Sequence, residues 1–146
     1  NFQGYTTDAC KTMLGLGASS IGKFDGGYIQ NTVATSQYRA CVANGELPAA
    51  KGFELSKDDT IRGWMIGRLM CEFEIDLDQL ASRYGEMAKP YLEEIQILAS
   101  QEQDELCKIA GSKFIVPEHA QPFVRIVAAR LDAYLADSNF RYSKAV

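Results

Sequence analysis

At 146 residues, 47% of them hydrophobic, the chain is long enough to bury one ordinary core, which excludes a disordered polypeptide. Its formal charge of −4 divides at Gly52 into +1 (four basic, three acidic) and −5 (eleven basic, sixteen acidic), and an acidic second segment is a poor partner for a phosphate backbone. Charges interrupt every apolar run long before it could cross a bilayer, and no basic, apolar, small-residue leader opens the chain, so a cytoplasmic protein that binds neither membrane nor nucleic acid is expected.

Eight of the twelve glycines fall within residues 1–52. The opening 30 residues read as short extended or irregular pieces joined by Gly-rich turns, followed by a modest helical pattern from Asn31 to Ala43 through Tyr38, Cys41 and Val42. Within "LGLGASSIG" the glycines at 15, 17 and 22 invite comparison with a nucleotide loop. The dinucleotide fingerprint needs G-x-G-x-x-G, but here the third glycine comes five residues after the second. No Gly-Lys-Ser/Thr follows, so the loop that grips outer phosphates through its lysine is excluded as well.

The composition changes near "NGELPAAKGFELSKDD". Beyond it Ser56 caps a helix with Asp59 three positions on, running to about Phe73 with Ile61, Trp64, Met65, Leu69 and Phe73 on one face. A shorter helix follows from cap Asp76, turns Leu77, Leu80 and Tyr84 inward and stops at Gly85. A third, about Ala88 to Gln103, buries Tyr91, Leu92, Ile95, Leu98 and Ala99. "ELCKI" and "KFIV" around Ala110-Gly111-Ser112 suit a hairpin, and a last helix from Pro122 places Phe123, Ile126, Val127, Leu131 and Tyr134 on one stripe. This order predicts an α+β, mainly helical protein with a winged-helix-like unit. DNA reading by the third helix is disfavoured, because Glu93, Glu94, Gln96, Gln101 and Glu102 face a lone Lys89 on its polar side.

Cys10, Cys41, Cys71 and Cys107 lie 31, 30 and 36 residues apart, and His119 is the one histidine, so metal-site spacing is absent and the cysteines read as small core residues. No histidine neighbours Ser19 or Ser20, and the pairs Asp58-Asp59 and Glu93-Glu94 are explained as helix-start and solvent-face charges. The residues alone reach no further than a soluble α+β domain.

The segments "NFQGYTT", "LGLGASSI", "YIQN" and "YRACVANGELPAAKGFELSKDDTIRGWMIGRLM", with the closing "RYSKAV", resemble in order the C-terminal third of the oxygen-independent coproporphyrinogen III oxidases, radical S-adenosylmethionine enzymes of haem biosynthesis. The related haem chaperones usually carry "YW" where this chain has Tyr5-Thr6, which favours the oxidase.

The resemblance implies a fragment. Residues 1–52 would complete the edge of a partial α/β barrel, and residues 53–146 would form a winged-helix-like, mainly helical C-terminal domain. The family's 4Fe–4S cluster sits on a C-x-x-x-C-x-x-C run that this chain does not contain, so the fragment alone should hold no cofactor and be inactive. By the same resemblance Gln3 and Ile21 touch a second S-adenosylmethionine, the glycines at 15 and 17 let backbone pass close to a ligand or strand, and Gly22 supplies an unusual backbone angle. The substrate implied is a porphyrinogen whose propionates become vinyl groups, and the protein is expected to be a monomer. A haem-chaperone fragment and an acidic winged-helix interaction module stay open as alternatives.

Overall fold

The computed structural model of the chain describes residues 7, 10 and 12–135. Contacts divide the described residues into two units, one within residues 8–59 and one of Thr7 together with the residues from Thr60 onward.

The first unit is an antiparallel meander. Strands β1 (Ile21–Phe24), β2 (Gly27–Asn31) and β3 (Ala49–Glu54) lie in that order, and helix α1 (Thr35–Ala43) is inserted between β2 and β3. The tight β1–β2 connection is possible because Asp25-Gly26 is a turn pair and because Gly27 has no side chain: a Cβ there would stand 2.1 Å from the Phe53 carbonyl oxygen. Rows of directly opposed residues share a face. One face carries Ile21, Gln30 and Lys51, then Lys23, Tyr28 and Phe53; the other carries Gly22, Ile29 and Gly52, then Phe24, Gly27 and Glu54. Near its end β2 shifts register between Gln30 and Asn31, so that Asn31 pairs with Ala49. Among the described residues of this unit no large hydrophobic side chain is buried.

The sheet runs through Glu54, two residues past the join expected at residue 52, and the helical pattern expected from Asn31 begins only at Thr35 because residues 27–31 are occupied by β2.

Helix α2 (Lys57–Glu72) opens on a reciprocal cap, in which Ser56 Oγ accepts from the Asp59 amide at 3.1 Å and the Asp59 carboxylate accepts from the Ser56 amide at 2.8 Å. Its buried face is Ile61, Met65 and Leu69, spaced at four. Phe73 then takes a φ of +60°, which ends the helix and starts β4 (Glu74–Asp76).

This strand pairs with β6 (Lys113–Ile115), which in turn pairs with β5 (Lys108–Ala110), so the expected two-stranded wing is a three-stranded sheet of order β4-β6-β5. Helix α3 (Leu77–Tyr84) is capped by Asp76, whose side chain accepts from the Gln79 amide at 2.9 Å, and a 3-10 turn, Gly85–Ala88, leads to α4 (Lys89–Ser100).

The closing helix is shorter than expected. Pro122 lies inside a 3-10 segment, Glu118–Phe123, and α5 covers Val124–Ala129. Of the expected stripe, Val127 and Leu131 are buried, whereas Phe123, Ile126 and Tyr134 are exposed and Val124 and Ala128 are buried in their place. One core joins Ile61, Met65 and Leu69 of α2 to Ile75, Leu80, Ile95, Phe114 and Leu131.

Arg62 ties three parts of this unit together. Its guanidinium meets both carboxylate oxygens of Glu94 at 3.0 Å, donates to the Leu131 carbonyl at 2.9 Å and lies 5.3 Å from the centre of the Tyr91 ring.

Candidate cofactor-facing loop

The glycine-rich stretch folds as a loop from Leu14 to Ser20 between two points of the sheet. At its start Met13 and Lys23 exchange backbone hydrogen bonds, both 2.8 Å. At its end the Ser20 carbonyl accepts from the Asn31 amide at 2.9 Å, and the chain enters β1 at Ile21.

Two residues inside the loop have positive φ, Gly17 (+101°) and Ser19 (+62°); the unusual angle expected at Gly22 belongs to them. Gly22 serves close approach, since a Cβ there would lie 3.0 Å from the Met13 carbonyl oxygen. Gly15 does the same more severely: its Cβ would stand 2.8 Å from the carbonyl carbon of Ile21.

The hydrogen bonding shows why this loop is no phosphate cradle. Such a cradle turns backbone N–H groups toward the anion. Here the Gly17 amide donates to the Tyr38 hydroxyl at 3.0 Å, the Ser19 amide to the Thr32 carbonyl at 2.9 Å and the Ser20 amide to the Gly17 carbonyl at 3.4 Å. The carbonyls converge instead. Asn31 Nδ2 donates to the oxygens of Gly15 and Gly17, both at 3.0 Å, and lies 3.3 Å from Ser20 Oγ, which itself donates to the Gly17 carbonyl at 2.5 Å.

Ile21 is the first residue of β1, opposite Gln30, and 51% exposed. It shares its face with Lys23, Tyr28, Gln30, Lys51 and Phe53, a surface with both apolar and hydrogen-bonding groups. Gln3 lies outside the described residues. The opposite face holds an open depression of about 400 Å³ between Phe24, Ile29 and Glu54, floored by Gly27 and Gly52.

Asn31 and Tyr38 were not singled out by sequence reasoning. For Asn31 the available signal was an amide side chain in "YIQN", downstream of a loop with more carbonyls than a turn can satisfy locally.

The most perturbed titratable groups belong to the second unit and are structural. Glu102, nearly buried, accepts from Arg130 and from the amides of Asp104 (3.0 Å) and Leu106 (3.5 Å), and the Arg130 hydrogen bond foremost holds its carboxyl below the usual range. Burial, and then the neighbouring Glu102 charge, push the Cys107 thiol up to about 11. None of the four cysteines is in a disulfide; Cys107 is the buried core residue expected, whereas Cys10 is exposed and Cys41 and Cys71 are half-buried. Among the described residues no three of His, Cys, Asp or Glu come together as metal ligands, and no helix is long and apolar enough to cross a membrane.

No family model matches the chain. Among curated proteins it is similar to oxygen-independent coproporphyrinogen III oxidases. That of Cereibacter sphaeroides is 38% identical over 145 residues, 99% of this chain and 32% of the relative, and that of Bradyrhizobium diazoefficiens is 38% identical over 146 residues, 100% of this chain and 32% of the relative. The enzyme of Salmonella typhimurium is 32% identical over 136 residues. Among solved structures, the coproporphyrinogen III oxidase of Escherichia coli, described as a radical SAM enzyme, superposes with a TM-score of 0.79 at 29% identity, covering 92% of this chain and 31% of that one. The chain therefore spans about a third of the length of the relatives it matches. In sequence along nearly its whole length, and in α+β fold, the chain is similar to about a third of the length of the oxygen-independent coproporphyrinogen III oxidases.

Proposed function

We propose that the chain is the C-terminal part of an oxygen-independent coproporphyrinogen III oxidase, whose full-length form converts two propionate side chains of coproporphyrinogen III to the vinyl groups of protoporphyrinogen IX. The observation that carries this reading is 38% identity along 99% of the chain to an enzyme of that name. The first unit supports it. Leu14, Leu16, Val33 and Leu47 are 70%, 86%, 68% and 89% exposed in a unit with no apolar core, the pattern of a surface that meets further protein. We assign this unit to the edge of the catalytic barrel and the second to the helical C-terminal domain.

Each propionate must lose a hydrogen atom, an electron and carbon dioxide to become a vinyl group. S-adenosylmethionine and a 4Fe–4S cluster would supply the hydrogen-abstracting chemistry in the full-length enzyme. The described residues do not fit the cluster, having no grouped ligands. They do fit contact with S-adenosylmethionine, because Ile21 is half-exposed beside hydrogen-bonding neighbours. Ile21 would pack against the ligand and exclude water, and Gln3, with one donor and one acceptor group, would orient it. A cytoplasmic monomer acting on a porphyrinogen, with no nucleic-acid or membrane partner, completes the reading.

The test is anaerobic turnover of coproporphyrinogen III by the full-length protein and its Gln3→Ala and Ile21→Ala variants. Both variants should keep their cluster, bind S-adenosylmethionine less tightly and decarboxylate more slowly. A full-length wild type without turnover would sink the oxidase reading, and unaltered cofactor affinity and turnover in Gln3→Ala would remove Gln3 from the cofactor contact.

A further inference from the structure

We infer that Asn31 is a positioning residue for the cofactor-facing edge, acting through the glycine loop on Ile21. The inference rests on the assignment of Ile21 to an S-adenosylmethionine contact.

The orientation of the Asn31 amide is determined by its surroundings. Two carbonyl oxygens, those of Gly15 and Gly17, lie 3.0 Å from the same side-chain atom, and a carbonyl can only accept, so that atom is the NH2 group. Its two hydrogens match the two carbonyls, and Ser20 Oγ closes the network by donating to Gly17. The β-bulge between Gln30 and Asn31 breaks the regular alternation of β2 at this residue, as bulges do where a side chain must be re-aimed. Asn31 also takes part through its backbone, its amide donating to the Ser20 carbonyl. A single residue therefore holds the loop at positions 15, 17 and 20.

Moving the loop moves Ile21. Gly15 lies so close to the Ile21 backbone that a methyl group would not fit between them, and the Met13–Lys23 bridge fixes the other side of the crossing. The loop is thus clamped at both ends and pinned in the middle, with Tyr38 taking the Gly17 amide from the helix side. The left-handed backbone of Ser19 persists only where the surroundings over-determine it, and Asn31 is part of those surroundings. Without the pin the loop would sample several conformations, of which a fraction would present Ile21 correctly. Affinity falls by that fraction, and the chemistry of the molecules that do bind is unchanged.

Asn31→Asp tests this with almost no change of shape, since it sets a carboxylate oxygen against two carbonyl oxygens. In the full-length enzyme the expected result is a KM for S-adenosylmethionine raised about tenfold, the equivalent of one net hydrogen bond lost, with kcat at saturation, cluster content and melting temperature close to wild type. Tyr38→Phe, a milder change, should move KM the same way by a smaller factor. In the 146-residue chain both variants should speed hydrogen exchange at the Gly17 and Ser19 amides. A fall in kcat at unchanged KM would mean a loss of folded molecules and would overturn the positioning role. Unchanged kinetics in both variants, with Ile21→Ala impaired, would overturn it while leaving Ile21 as a contact. Unimpaired binding in Ile21→Ala would remove the contact itself and the inference with it.

Discussion

Arg62 offers the sharpest energetic test of the second unit. Replacing it with alanine removes two charge-assisted hydrogen bonds to Glu94, one to the Leu131 carbonyl, and the guanidinium 5.3 Å from the Tyr91 ring. The side chains of Arg62 and Glu94 are 19% and 34% exposed, so the ion pair deserves about 1 kcal/mol, the upper end of the range for accessible pairs. The bond to the Leu131 carbonyl contributes about 1.5 kcal/mol, because a charged donor serves a neutral acceptor there. The ring contact adds about 0.5 kcal/mol. Arg62→Ala should therefore cost about 3 kcal/mol and Glu94→Ala about 1 kcal/mol, with a coupling of about 1 kcal/mol in the double-mutant cycle. Urea unfolding of the wild type, both single variants and the double variant measures all three quantities. If Arg62→Ala proved no costlier than Glu94→Ala, the link to Leu131 would carry no energy and the strap described here would be wrong. A coupling indistinguishable from zero would refute the ion-pair part alone.

Gly27→Ala should unpair β2 from β3, because its Cβ meets the Phe53 carbonyl oxygen at 2.1 Å; amide exchange should quicken along residues 27–31 and 49–54 while the second unit melts as in wild type. Cys107 should resist a thiol reagent at pH 8 until the protein unfolds, while exposed Cys10 reacts at once. Since the Cys107 thiol is raised from 9.0 to about 11 in the folded state, its contribution to stability is complete below about pH 9 and is lost as pH rises toward 11, a loss that Cys107→Ala should abolish. For Glu102 the sign reverses: its lowered carboxyl contributes stability above the ordinary value of 4.5, lost as pH falls through the folded value, so Glu102→Gln should flatten the acid limb of the melting curve.

Features set by near neighbours in the chain could be read from it. Ser56 with Asp59, and Asp76 with its helix, are capping signals completed within three residues, and both form as expected. The long face of α2 was legible because sixteen residues give a period several repeats. Strand β4 was not. Three residues carry no period, and Glu74–Asp76 is a strand only because β6, almost forty residues later, pairs with it. The face of helix α5 was read only in part for a related reason: in a six-residue helix an error of one position rotates the face by about 100°, so Val127 and Leu131 were placed correctly while Phe123 and Ile126 stood where Val124 and Ala128 are buried. Ahead of β1 the glycines advertised a loop, but not its interior. The acceptors of Asn31 lie 14 and 16 residues upstream and reach it only when β1 pairs with β2.

The described part of the first unit buries no large apolar side chain; its buried positions are Gly22 and Gly27. Heat-capacity change on unfolding follows newly hydrated apolar surface and is reduced by newly hydrated peptide groups. The two halves of the chain therefore contribute to calorimetry in different ways. Melting of the meander releases mostly hydrogen-bonded backbone, with a nearly flat enthalpy against temperature, whereas nearly all the curvature of the stability profile comes from the residues around Leu69, Ile95 and Phe114. Cooling, which weakens hydrophobic cohesion, would thus loosen the helical half while the glycine loop and its asparagine pin keep their geometry.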